Sequence, residues 1–301
     1  MTTFDAETSR ARLAIRLRWG MLAAGLGIMV ACAGPAASAE QAQGPAQPTP
    51  TPAASPPFWG TIFIDPDIIT PADPSSFEGL RDAGRGERTM YDRRVDGWIT
   101  VEAFLFDARY DDGLAIEIQV NPEFASVDAA RAEAERFAPV IGQLPRALRV
   151  GVETVWIHQG TAPFGGGNHN LLIHVGQAER YVAEGILEET LVHEAAHSSL
   201  DETHAAAPGW LAAQAADGGF ISTYARDNPD REDIAESYLP YLALRHRADR
   251  ISGALAATIQ ATIPNRMRYF DALDLDLYPI RPEVARGVAY LPALFRSGGS
   301  R

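Results

Sequence analysis

The chain contains no lysine and a single cysteine, Cys32. Every basic side chain is therefore an arginine, and the 26 of them face 39 carboxylates, for a formal charge of −13. No cationic surplus is left to neutralise a phosphate backbone, which argues against a nucleic-acid binder. The acidic balance mainly favours solubility, and the missing lysines reflect genome composition more than function. A single cysteine cannot close a disulfide within the chain. If the chain is cut after Ala39, no thiol nucleophile remains either. Stability must then come from the core, which 46% hydrophobic residues can build, and from a metal. No internal repeat is visible. The triglycine in Ala162–Asn168 (APFGGGN) lacks the G-x-x-x-x-G-K pattern of a phosphate loop and reads as a flexible turn between two strands.

Long apolar runs are also scarce. The main one, Trp19–Cys32 (WGMLAAGLGIMVAC), is a little short for a membrane span. Arg10, Arg12, Arg16 and Arg18 precede it, and Ala37-Ser38-Ala39 follows as a small-residue cleavage site. Together these read as a signal peptide over residues 1–39, which implies a periplasmic or secreted protein with no membrane span in the mature chain. Two alternatives stand beside this: an uncleaved N-terminal anchor, and a lipoprotein processed at Cys32. For the second, Met29 is a poor match at the first position of Met29-Val30-Ala31-Cys32. Residues 40–57, rich in Pro, Ala and Gln, have the composition of an extended tether.

From Phe58 onward the composition becomes globular. Residues 58–125 form a β-rich region, with expected strands at Phe58–Ile64, Trp98–Phe106 and Leu114–Val120 and a hairpin turn at Asp111-Asp112-Gly113. The charge-dense segment Arg81–Arg94 fits no element. Residues 126–296 form the candidate catalytic region. A helix over Val127 to about Ile141, capped by Ser126, opens it. Strands at Arg149–His158 and Asn170–Val175 follow. A further helix is expected to start near Ala183, with a break at Pro208-Gly209. Another should start at Pro229 with Asn228 as N-cap and be kinked or ended by Pro240. A last one is expected over residues 249–263. Glu188, Glu189 and His246 read as solvent-facing. His158, His169 and His174 lie on or beside the two strands; His169 and Asn168 are candidates for lining a cleft, though ordinary strand or loop placement is the simpler reading.

The chemistry concentrates in Leu191–His204, LVHEAAHSSLDETH. Residues four apart on a helix share one face, so His193 and His197 can hold one metal ion between their imidazoles. Glu194 then projects beside that ion, where a carboxylate can take a proton from bound water. Zinc is the expected metal, and a hydrolytic zinc site normally has three protein ligands. Two places offer the third. His204 lies eleven residues after His193, which on a continuous helix is ~16 Å along the axis, so it reaches the metal only if the chain reverses. Metzincins achieve that with H-E-x-x-H-x-x-G-x-x-H. Here Leu200 stands where their glycine belongs and the histidine comes one residue late. Asp201 is a weaker candidate. Downstream, YARDNPDREDIAESY places Glu232 and Glu236 four apart on the next expected helix.

HEAAH followed by Tyr224 and EDIAES resembles the gluzincin-type zinc metallopeptidases related to the catalytic domain of anthrax lethal factor. The resemblance covers roughly residues 185–245 and is one of motifs only. It implies that Glu232 is the third metal ligand. Glu236 would accept the N–H of a ligand histidine, and Tyr224 would donate to the oxyanion of a tetrahedral intermediate. The tyrosine-to-glutamate spacing is one residue longer here than in that family. The fold implied is α+β and zincin-like: a small mixed sheet, an active-site helix and a helical C-terminal subdomain. The expected activity is hydrolysis of a peptide or protein substrate. A zinc hydrolase acting on a non-peptide bond and a catalytically idle zincin-fold binding module remain as rivals.

Overall fold

The charge-dense stretch that fits no element by pattern is a strand. In the computed structural model of the protein, which describes residues 55–281, Phe77–Asp92 forms β1 at the edge of a six-stranded sheet. Its side chains are largely solvated, and charge on an exposed edge discourages pairing with another chain. Edge placement, rather than a loop, explains the missing apolar alternation. β1 pairs antiparallel with β2 (Gly97–Tyr110), and β2 pairs antiparallel with β3 (Ala115–Val120) across the turn at 111–113. β3, β4 (Thr154–His158) and β6 (Asn170–His174) then run parallel. β6 is buried along its whole length, as expected for a central parallel strand.

The triglycine is not a flexible turn. Gly165–Gly167 is β5, the short opposite edge of the sheet, antiparallel to β6. The order is β1-β2-β3-β4-β6-β5, so the β-rich region and the candidate catalytic region share one sheet. They also share one core, which joins Phe106, Ile118 and Val120 to Leu191, Ala195 and Leu239. The architecture is α+β with an open mixed sheet.

Helices cover the sheet. α1 (Val127–Gly142) starts where expected: the Ser126 hydroxyl accepts the Ala129 N–H at 3.1 Å, and Ala134, Phe137 and Ile141 are buried. The strand expected from Arg149 starts only at Thr154, because Arg146–Arg149 is a helical turn, α2. The helix expected from Ala183 starts at Leu187, and a separate helix precedes it. α3 (Val175–Glu184) ends at Gly185 in the left-handed conformation, and α4 (Leu187–His204) begins beyond it. α5 (Pro208–Asp217), α6 (Thr223–Asp227), α7 (Asp233–His246), α8 (Gly253–Thr262) and α9 (Pro264–Asp271) complete the described residues.

Several further expectations are corrected. Phe58–Ile64 is not a strand but a strap. Phe58 makes one bridge to Ser222, and Thr61–Phe63 is a 3-10 turn. Asn228 does not cap a helix at Pro229; its side chain donates back to the Tyr224 carbonyl, residues 229–232 form turns, and α7 starts at Asp233. α7 continues through Pro240, where Leu239, Tyr241 and Leu242 are all buried, so packing holds a helix that propensity would end. Glu188 and Glu189 are buried rather than solvated: Glu189 accepts the Ile69 N–H at 2.9 Å, and burial pushes its carboxyl up to about 8. His246 packs edge-on against Tyr241 at 5.3 Å, and burial holds its ring down to about 4. Among the described residues no helix is long and apolar enough to cross a membrane. The expected leader, Cys32 and most of the tether lie outside the described residues.

Candidate metal centre

α4 carries the H-E-x-x-H motif against the edge of the sheet, and two glycines allow the approach. A Cβ on Gly166 would lie 1.9 Å from the Glu194 carbonyl oxygen, and one on Gly151 would lie 2.5 Å from that of Ser198. Both clashes are with backbone, so no side-chain rotation relieves them. Hydroxyls pin the same contact. Ser198 Oγ donates to the Asn170 carbonyl at 2.7 Å and accepts the Gly167 N–H at 2.9 Å. β5 thus lies directly along the turn of helix that bears Glu194.

His193 and His197 project from α4 as the i, i+4 spacing demands, their rings 4.9 Å apart and nearly perpendicular. α7 packs across α4 and brings Glu232, at its N-cap, to the same point. His193 Nε2, His197 Nε2 and Glu232 Oε2 form a triangle with edges of 3.2, 3.2 and 3.3 Å. Tetrahedral ligands at ~2.0–2.1 Å from one ion lie roughly 3.3 Å apart, so the triangle has the dimensions of one face of such a site. Among the described residues this is the group of His, Cys, Asp or Glu side chains that can hold a metal ion. The chemistry of the donors agrees. Three lone-pair-bearing atoms converge on one buried point, where at most one or two protons could replace a cation.

The surrounding contacts orient each ligand. His197 Nδ1 is 2.7 Å from Asp201 Oδ2. Burial disfavours the His197 cation, but Asp201 and Glu232 outweigh it and hold the ring up to about 10. For Glu232, burial would raise the carboxyl, yet hydrogen bonding to His193 and His197 holds it well below the usual range. Glu236 Oε1 lies 3.4 Å from His193 Nδ1, an ion-pair distance, while its Oε2 accepts the Thr61 N–H at 2.9 Å. Burial raises the Glu236 carboxyl. The strap at 58–61 is therefore part of the site, and no local sequence signal announces it. Its Phe58 carbonyl accepts the Thr223 N–H, its Trp59 carbonyl accepts the Tyr224 N–H at 3.0 Å, and Trp59 stacks on the Tyr224 ring at 6.2 Å.

Tyr224, on α6, donates its hydroxyl to Glu232 Oε1 at 3.1 Å. Burial, then the nearby Glu232 charge, pushes the phenol up to about 12, which keeps it a donor at neutral pH. Glu194 lines the same cleft, about 500 Å³ in volume, together with Tyr224, Trp59, Phe63, Phe164 and Tyr181.

The remaining candidates lie elsewhere. His204, the alternative third ligand, ends α4 and is hydrogen-bonded through Nδ1 to Tyr269 Oη at 2.7 Å, three turns along from His193. Asp201 contacts His197 instead of joining the triangle. His158 and His174 sit in register on β4 and β6, wholly buried and stacked at 5.5 Å, with His158 Nδ1 3.0 Å from Asn121 Nδ2. His169 and Asn168 form the turn between β5 and β6 and line a second cavity, which reaches His197 and Asp201 from the far side of β5. Comparison of the chain with known protein families, with curated proteins and with solved structures gives no match to any of them.

Proposed function

We propose that the protein is an exported zinc-dependent peptidase of the gluzincin type, built on a zincin-like fold. The observation that carries this reading is the His193–His197–Glu232 triangle, with Glu194 and Tyr224 on the same cleft. Zinc bound there would act as a Lewis acid and lower the pKa of water, chemistry that peptide hydrolysis requires. His193, His197 and Glu232 would hold it, with Asp201 and Glu236 fixing the imidazole orientations from behind. The Glu194 carboxylate, on the wall of the same cleft, would take the proton of the attacking water and pass it to the leaving amine. Tyr224, kept protonated, can turn its hydroxyl from Glu232 toward the oxygen on which charge develops. The leader expected at 1–39 places this activity in the periplasm or outside the cell.

The test is zinc stoichiometry alongside peptide turnover. Wild type and His204→Ala should bind one zinc, and Glu232→Ala should lose it. Peptide cleavage should vanish on chelation and in Glu194→Gln, with zinc retained in the latter. Zinc kept in Glu232→Ala and lost in His204→Ala would reject the gluzincin assignment. Zinc bound with no cleavage of any peptide library would move the reading to a non-peptide hydrolase or an idle binding module.

A further inference from the structure

The chain is acidic overall, yet the cleft beside the triangle also carries cationic side chains. Apart from His193, Glu194, His197, Glu232 and Glu236, the charged side chains lining it are two arginines, Arg93 and Arg231. Neither guanidinium has an ion pair or hydrogen bond among the described residues. Their neighbours do: Arg94 is held by Asp92 at 2.7 Å and Glu123 at 2.7 Å, and Arg226 by Asp227 at 2.8 Å. In a chain with 13 more carboxylates than cations, two guanidiniums without an ion pair at one cleft are unexpected on composition alone.

Each is placed by the backbone that carries it. Arg93 sits in the β1–β2 turn, and its guanidinium lies against the edge strand. A Cβ on Gly165 would be 2.8 Å from Nη2 and 3.4 Å from Nε, so the guanidinium lies directly over the glycine. Arg231 immediately precedes Glu232, in the turn that delivers that ligand to the metal triangle. Both arginines also line the adjoining cavity of about 520 Å³ on the other side of β5, where Asp96 is the acidic member and is engaged by the Tyr91 hydroxyl. Two guanidiniums therefore line both cavities that adjoin the edge strand β5. A guanidinium offers a planar fork of donors that matches a carboxylate, and a partly enclosed cleft strengthens the attraction.

We propose that this cleft selects peptides carrying a carboxylate close to the bond to be cleaved, with Arg93 and Arg231 as its anchors. The carboxylate comes from an acidic side chain or from the peptide's own C-terminus. The proposal rests on the peptidase reading for its substrate, but binding tests it separately from turnover. The experiment uses the zinc-loaded full chain carrying Glu194→Gln and a matched set of fluorescent peptides with Glu, Gln or Lys at one position, each with a free or amidated C-terminus. Binding is read by anisotropy. Glu peptides, or free-carboxylate peptides, should bind about tenfold tighter than their neutral partners, the ratio that one charge-assisted pair supplies. Which of the two series shows the ratio identifies the source of the carboxylate. Arg93→Gln and Arg231→Gln, tested separately, should each bring the ratio toward one, with zinc content as the check that each variant is folded. Equal binding of acidic and neutral peptides, or tighter binding of Lys peptides, overturns the proposal. So does an acidic preference that survives both substitutions, since the metal would then be the anchor. Acidic preference in binding without cleavage of any peptide by the wild-type chain would leave the anchors standing and reject the peptidase reading.

Discussion

Replacing Gly166 by alanine adds one methyl group at the tightest backbone contact of the candidate site. The new Cβ would sit 1.9 Å from the Glu194 carbonyl oxygen, 2.6 Å from its carbonyl carbon and 2.8 Å from its Cα. Carbon–oxygen contacts settle beyond ~3.2 Å, so β5 and α4 must separate by more than ~1 Å. Neither side yields easily. β5 is tied to β6, and α4 is tied to the same strand through Ser198. Overpacking of this kind costs about 1–3 kcal/mol. The functional loss should be larger in proportion, because the moving backbone is that of Glu194, and a misplacement of about 1 Å can cost ~100-fold in rate. Urea unfolding, zinc affinity and peptide turnover would be measured against Gly79→Ala, where an added Cβ meets nothing within 4 Å. If Gly166→Ala matches Gly79→Ala in all three, the close approach of β5 to α4 does not set the geometry of the site.

Asp201→Ala, which leaves His197 Nδ1 without its partner, should weaken zinc binding about 10–100-fold in a chelator competition, and unchanged affinity would remove Asp201 from the site. Stability should also fall on acidification through a group far from the metal. Burial holds His158 neutral down to about 4, so between about pH 6.5 and 4 the unfolded chain takes up a proton that the folded chain refuses. The stability from keeping this ring neutral is complete above about pH 6.5, and roughly 2 kcal/mol of it should be lost by pH 5. A His158→Asn variant whose urea midpoint falls with pH as steeply as that of the wild type would refute the assignment.

The parts of the site that can be read from sequence are those fixed by a single element. The i, i+4 histidines need only a helix, and so do Glu232 and Glu236, although the helix begins later than Pro229 suggests. α1 is legible because its cap, its alanines and its buried face agree. What escapes is set by tertiary contact. β1 carries its charges on a solvated edge, so its pattern looks like a loop. In β5, Gly165 lies against Arg93, Gly166 against the backbone of α4, and Gly167 adopts a positive φ of 106°, whereas glycine in sequence reads as flexibility. Glu189 and His246 look like surface residues until the segments that cover them are in place. Pro240 predicts an end to α7 that packing overrides.

The placement of Glu232 shows why the candidate third ligand is the least local part of the site. Its neighbour Asp233 is fixed by Arg266 at 2.9 Å, and Arg266 also holds Asp217 at 3.0 Å, all three groups being wholly buried. On the other side, the strap donates the Thr61 N–H to Glu236. The N-terminal end of α7 is thus clamped between α9 and a segment that precedes the sheet in sequence by more than a dozen residues. A buried charge left without its partner costs about 3–5 kcal/mol, so the clamp tolerates little displacement. Burying four charged groups around one helix end is an expensive way to stabilise a fold. It is an effective way to hold one carboxylate oxygen 3.2 Å from one imidazole nitrogen and 3.3 Å from another, and the triangle depends on that placement.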